Sequence, residues 1–240
     1  MLFALAERGF TPFSPTHAGA VCAAAVIIAL TVGSGLVLRR RDPVREGRLR
    51  RFLAALALLV ALSSVLFWLT PSRVDLTRSL PLHVCDLASL AAPFALAFAL
   101  RPARALVYGW GVPLSSQAFL TPIVTNGPTA PEFWIFWAIH TQIITVAIYD
   151  LVVAGYRPTR ADWRLVTLLG VPYLALAAAV NARLGSNYAF IGRPTPENPT
   201  LVDALGPWPV RAVLLALLAQ AAVTLAFLPW IIRERRAPIP

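Results

Sequence analysis

The chain has no lysine; all 21 of its basic residues are arginine. Charge of either sign is scarce: 13% of residues are charged, 11 of them acidic, and there are three histidines, two cysteines and one methionine. That little charge excludes a water-soluble globular domain of 240 residues, whose surface would have to be covered by polar side chains. Cys22 and Cys85 both lie inside apolar runs, which excludes an extracellular disulfide scaffold. Residues 1–15 lack the basic stretch of a cleavable signal peptide, so the first apolar run reads as a true span.

What is plentiful is apolar surface, with 58% hydrophobic residues and a mean hydropathy of +0.69. A helix needs roughly 20 apolar residues to cross the hydrocarbon of a bilayer. Seven runs qualify, at residues 17–38, 52–70, 80–100, 105–121, 133–153, 165–184 and 210–232. The expectation is an all-α membrane protein with seven transmembrane helices in one domain over residues 1–240. The fourth run is the most interrupted, by Gly109, Gly111, Pro113, Ser115, Ser116 and Gln117, and Pro113 predicts a kink there.

A net charge of +10 suggests nucleic acid only until its distribution is read. The arginines flank the apolar runs, as topology signals do. One side receives Arg39 to Arg51, then Arg101 and Arg104, then Arg157, Arg160 and Arg164, then Arg233, Arg235 and Arg236. The other receives Arg8, Arg73, Arg78, Arg183, Arg193 and Arg211. This bias predicts an outward N-terminus and a cytoplasmic C-terminus. Trp68, Trp134, Trp208 and Trp230 near run ends fit an interfacial belt.

Intramembrane ionisable groups are costly, about 2.5–3.5 kcal/mol for a central Asp, so each needs a reason. His83, Cys85 and Asp86 open the third run, roughly 5–10 Å below the outer interface at 1.5 Å per residue. His140 lies about 12 Å below Glu132 by the same arithmetic. His17, Gln117 and Asn181 belong to the same outer half, whereas Asp150 sits near the cytoplasmic end of run five and is expected to snorkel. On a regular helix His83 and Asp86 share a face, while His83 and Cys85 point apart, so a base for Cys85 is expected from another helix, His140 by depth.

The longest loop, 185–209, carries Asn187, Tyr188, Arg193, Pro194, Glu197, Asn198, Asp203 and Trp208 and reads as a lid or binding loop. The bland readings stand beside these: a buried Cys is commonly a small hydrophobe, and a lone His or Asp an interhelical tie. Three His and one Asp are enough for a zinc site, but the spacing of a helical ligand pair is missing, and no metal or cofactor is expected.

Five motifs occur in order: Leu80-Pro-Leu-His-Val-Cys-Asp-Leu-Ala88; Trp110-Gly with Ser116-Gln-Ala and Leu120-Thr-Pro122; Phe136-Trp with His140; Gly185-Ser-Asn-Tyr188 with Arg193-Pro194; and Leu205-Gly-Pro-Trp-Pro209. Over nearly the whole chain they resemble the YwaF-type bacterial integral membrane proteins. That group is similar to the eukaryotic transmembrane protein 164, a phospholipid acyltransferase with a catalytic cysteine. More distantly it resembles integral membrane hydrolases of fatty-acid esters of hydroxy fatty acids, which use a Thr and a His. The resemblance implies a bacterial plasma-membrane protein acting on a phospholipid or fatty-acyl ester, with Cys85 as nucleophile and His140 as the intramembrane histidine. Acyl transfer or hydrolysis is then expected in the outer-leaflet half. Asp86 would orient a histidine, His83 or Gln117 would donate to the oxyanion, and His17, Asn187, Tyr188 and Arg193 would hold substrate. The alternative is a lipid or small-molecule binding and transport protein without covalent chemistry, which the absence of internal repeats and of a midplane site disfavours.

Overall fold

The computed structural model describes residues 9–193 and 201–236. Among them the regular structure is entirely helical, with seven α-helices and no strand. They are α1 (Pro15–Arg41), α2 (Pro43–Trp68), α3 (Val84–Phe98), α4 (Arg101–Leu106), α5 (Pro131–Val152), α6 (Arg160–Leu184) and α7 (Val210–Arg236). Five of them, α1, α2, α5, α6 and α7, are long and apolar enough to cross a membrane.

Local chemistry sets the ends. Ser14 Oγ accepts the His17 N–H and Pro15 opens α1, a position where a missing N–H costs nothing. Asp42 does two jobs: its own N–H closes α1 on Leu38 O, and its carboxylate accepts the Arg45 N–H that starts α2. Thr159 and Asp162 form a reciprocal capping box on α6, which ends at Gly185 in the left-handed conformation, φ +66°.

Helix α5 is the core. In its most apolar window 56% of residues are buried, against 11–22% for the four other long helices, whose apolar faces are left for lipid. It packs against α1, α2 and α3, and also against the segment that follows α4.

Two expected helices differ from the pattern read in the sequence. The third begins at Val84 rather than residue 80, because the chain bends there, Leu82 N–H turning back to Leu80 O at 2.8 Å, and His83, with extended backbone, is the cap. It ends at Ala99, φ +51°. The fourth is composite: α4 passes into a π-helical segment, Val107–Ser115, and a 3-10 turn, Ser116–Phe119. The wide π turn houses Pro113, and Gly109 and Gly111 let neighbours come close. A Cβ on Gly111 would lie 2.6 Å from Ile143 of α5, and one on Gly109 2.9 Å from Phe227 of α7.

The arginine-bearing ends gather into an ionic layer. Arg104 donates twice to Asp150, both at 2.7 Å, and Arg101 twice to Asp162, both at 2.8 Å. Asp150 is therefore buried and paired instead of snorkelling. Its partner lies 46 residues away, on an element whose register the sequence did not reveal. Tyr149 donates to buried Glu46 at 2.9 Å and rests on Gly35, where a Cβ would meet its ring at 2.5 Å.

Candidate functional site

The lead into α3, the turn after α6 and the middle of α5 carry part of the set singled out in the sequence. His83 is the residue before α3, with extended backbone (φ −78°, ψ 152°), and its N–H donates to Asp86 Oδ2 at 3.0 Å. Asp86 thus occupies the third helical position of a capping box. Because His83 stands outside the helix, the argument that it must point away from Cys85 does not apply to it.

Two tyrosine hydroxyls brace the lead into α3. Tyr173 of α6 donates to Leu82 O at 2.9 Å. Tyr188 accepts the Leu80 N–H at 2.9 Å and donates to Leu76 O at 2.8 Å. Burial pushes the Tyr188 phenol up from its ordinary pKa, so its O–H remains a donor. Asn181 in turn clamps Tyr188: its Oδ1 accepts Tyr188 N–H and Ser186 Oγ–H, both at 2.8 Å, and its Nδ2 donates to Tyr188 O at 2.9 Å. The resulting turn, Tyr188–Phe190, lies over His83, with ring centroids 5.5 Å and 5.2 Å from the imidazole. Ala189 and Phe190 both take positive φ, 56° and 59°, a costly conformation for residues with a Cβ.

His140 is buried on α5, and its Nδ1 lies 2.7 Å from Phe136 O. A carbonyl only accepts, so Nδ1 carries the proton. Nε2 keeps its lone pair and has no hydrogen-bond partner among the described residues. This is the tautomer of a general base. Cys85, the second residue of α3, packs against the buried cluster of Ala88 with Ile139 and Ile143 of α5. His140 lies three residues from Ile143 and shares its face. His83, Cys85 and Asp86 stand together at the start of α3, and Cys85 packs on the cluster that Ala88 forms with Ile139 and Ile143 of α5.

The remaining candidates are elsewhere. His17 has both ring nitrogens engaged: Nδ1 accepts the Phe13 N–H at 2.8 Å, and Nε2–H donates to Phe119 O at 3.1 Å. It ties the start of α1 to the 3-10 turn and packs on Trp137. Gln117 is exposed on that turn. Asn187 Oδ1 is buried without a partner among the described residues. Arg193 is exposed, its guanidinium 5.4 Å from the Trp208 ring. Pro194, Glu197 and Asn198 lie outside the described residues. No group of three or more His, Cys, Asp or Glu side chains positioned to hold a metal occurs among the described residues.

Sequence reasoning passed over Tyr173, Ser89 and Gln142. Gln142 Nε2 donates to Ser89 O at 3.2 Å and lies 3.3 Å from Ser89 Oγ, and Ser89 shares a small cavity with Asp86 and Ser64. The only available signal was a lone hydroxyl or amide in an apolar run. Tyr173→Phe keeps the ring and deletes the bond to Leu82. We expect it to cost about 1 kcal/mol, read as a lower thermal midpoint in detergent. An unchanged midpoint would mean that the bond does not hold the lead into α3.

A family model described as the TMEM164 family matches residues 12–227. No curated protein and no solved structure matches the chain.

Proposed function

The chain belongs to the TMEM164 family, and from that premise and the geometry of the cluster we propose that it is a lipid acyltransferase or lipid ester hydrolase with Cys85 as nucleophile. The observation that carries this is His140: a buried imidazole whose proton is fixed on Nδ1 and whose Nε2 has no partner among the described residues, on the helix whose Ile139 and Ile143 belong to the cluster Cys85 packs against.

His140 Nε2 takes the Cys85 proton as sulfur attacks the ester carbonyl of a phospholipid or fatty-acyl ester. The tetrahedral intermediate collapses, the alcohol leaves with the proton from His140, and a thioester remains on Cys85. A hydroxyl acceptor, lysolipid or water, gives its proton to His140 and attacks the thioester, and the thiol regains the proton. Cys85 sits in the first turn of α3, where the helix dipole favours the negative charge that develops on sulfur. His83, freed from the helix, is the donor for the oxyanion, a contact worth about 3 kcal/mol when preorganised. The Asp86 carboxylate holds the His83 backbone in place. In this reading α3 and the composite fourth element also cross the membrane, giving seven spans. The arginine layer faces the cytoplasm of a bacterial cell, as the arginine bias of the loops predicts, and the cluster lies beneath the outer headgroups, at the depth of ester carbonyls.

His140→Gln tests the assignment of the base. Turnover of an ester lipid by the purified variant should fall by about 10²- to 10⁴-fold, with the thermal midpoint nearly unchanged. Full turnover in that variant would reject His140 as the base.

A further inference from the structure

The arginine-bearing end of the bundle carries fifteen of the 21 arginines but five of the 11 acidic residues, so the whole net charge of +10 resides there. The other end is balanced, six arginines against six carboxylates, and three of its arginines sit on carboxylates: Arg73 on Glu132, Arg78 on Asp75 and Arg211 on Asp203. At the arginine-bearing end all five carboxylates are already hydrogen-bonded within the chain. Glu234 of α7 spends an oxygen on the Arg160 backbone N–H at 2.9 Å. Arg157 and Arg233 are left exposed, with no carboxylate partner among the described residues.

Both meet one fixed aromatic ring. Trp230 Nε1–H donates to Tyr108 Oη at 2.9 Å, and Tyr108 donates to Ala226 O at 2.6 Å, which pins the indole against α7. The guanidinium carbon of Arg157 lies 5.8 Å from the ring centroid and that of Arg233 6.0 Å. Arg157 is held by its Nη1, which donates to Leu151 O and Tyr156 O, while its Nε and Nη2 have no partner among the described residues. Two guanidinium forks set against one ring, with donors unspent, suit a phosphate.

The neighbouring surface decides what carries that phosphate. Leu218 and Leu225 of α7 are exposed and seven residues apart, and Arg233 follows eight residues on, along one side of the helix. Arg233 to Leu218 spans about 22 Å at 1.5 Å per residue, more than half of a hydrocarbon core of roughly 30 Å. A nucleic acid would use the charge and leave the apolar stripe bare; a phospholipid uses both.

We infer that this corner holds an anionic phospholipid of the adjoining leaflet, its phosphate taken by Arg157 and Arg233 beside Trp230 and a chain laid along α7 over Leu225 and Leu218. None of these residues belongs to the group of His83, Cys85 and Asp86, so the inference does not depend on covalent chemistry at Cys85.

The test uses the full chain in detergent with phosphatidylglycerol and phosphatidylcholine of identical acyl chains at equal concentration. Native mass spectrometry counts the lipid that each protein retains. The wild type should prefer phosphatidylglycerol about 10- to 25-fold, at roughly 5-fold per arginine. Arg157→Gln combined with Arg233→Gln should remove the preference. Because Arg157 also braces the loop before α6, Arg233→Gln alone serves as a second variant. It breaks no hydrogen bond among the described residues, and should cut the preference about 5-fold at an unchanged thermal midpoint. Arg73→Gln combined with Arg78→Gln makes the same change in net charge at the other end and should leave the preference intact. Equal retention of the two lipids by the wild type would overturn the inference. So would an equal loss in the Arg73 and Arg78 double variant, which would make net charge the cause, or displacement of the lipid by inorganic phosphate or by an oligonucleotide.

Discussion

Cys85→Ala is expected to lose lipid turnover by about 10⁴-fold or more while the helices stay in place, because removal of a nucleophile leaves only the catalysis supplied by binding and oxyanion donors. The side chain is small and half-buried against the Ala88, Ile139 and Ile143 cluster, so its truncation should cost stability no more than about 1 kcal/mol. Loss of function and loss of fold are therefore separable at this position. Cys85→Ser should also fail: the hydroxyl is far less acidic than the thiol, and a single buried imidazole has to take its proton. Turnover that persists in Cys85→Ala would remove the thiol from the chemistry and leave the cluster as an interhelical tie or a binding site.

The second large effect is on the loop above His83. Asn181→Leu deletes three buried hydrogen bonds, two to the Tyr188 backbone and one to Ser186. The leucine leaves a buried N–H, C=O and hydroxyl with no replacement, so about 3 kcal/mol or more should be lost. Tyr188 is the link between that loop and the lead into α3, through Leu80 and Leu76. The same substitution should therefore loosen His83, and turnover should fall together with the thermal midpoint. Asn181→Asp keeps the acceptor and loses only the donor to Tyr188 O, so its effect should be intermediate. A leucine variant with the wild-type midpoint would mean that the clamp does not carry the loop.

The elements read most directly from the sequence were those whose fate is decided by hydrophobic length: α1, α2, α5, α6 and α7. The start of α3 was misread because an apolar run does not distinguish helix from extended chain. The turn from Leu82 N–H to Leu80 O and the bond from His83 N–H to Asp86 decide it. That shift of a few residues changed the chemistry, since it released His83 from the helical wheel. The π-helical segment was legible only as a cluster of Gly and Pro; its geometry depends on how closely α5 and α7 approach Gly111 and Gly109. In the candidate site, the spacing of His83, Cys85 and Asp86 and the position of His140 along the fifth run were open to sequence reasoning. Tyr173 was not, because its partner is a backbone carbonyl 91 residues away. His17 illustrates the reverse: a polar residue at a plausible depth whose two ring nitrogens are both spent on backbone groups.

The most direct measurement is peptide mass spectrometry of purified protein quenched in acid during turnover of an ester lipid. The account predicts a fatty-acyl adduct on Cys85 that hydroxylamine removes and that His140→Gln fails to form. An acyl group recovered on any other residue, or steady turnover with unmodified Cys85 at every time point, would contradict it.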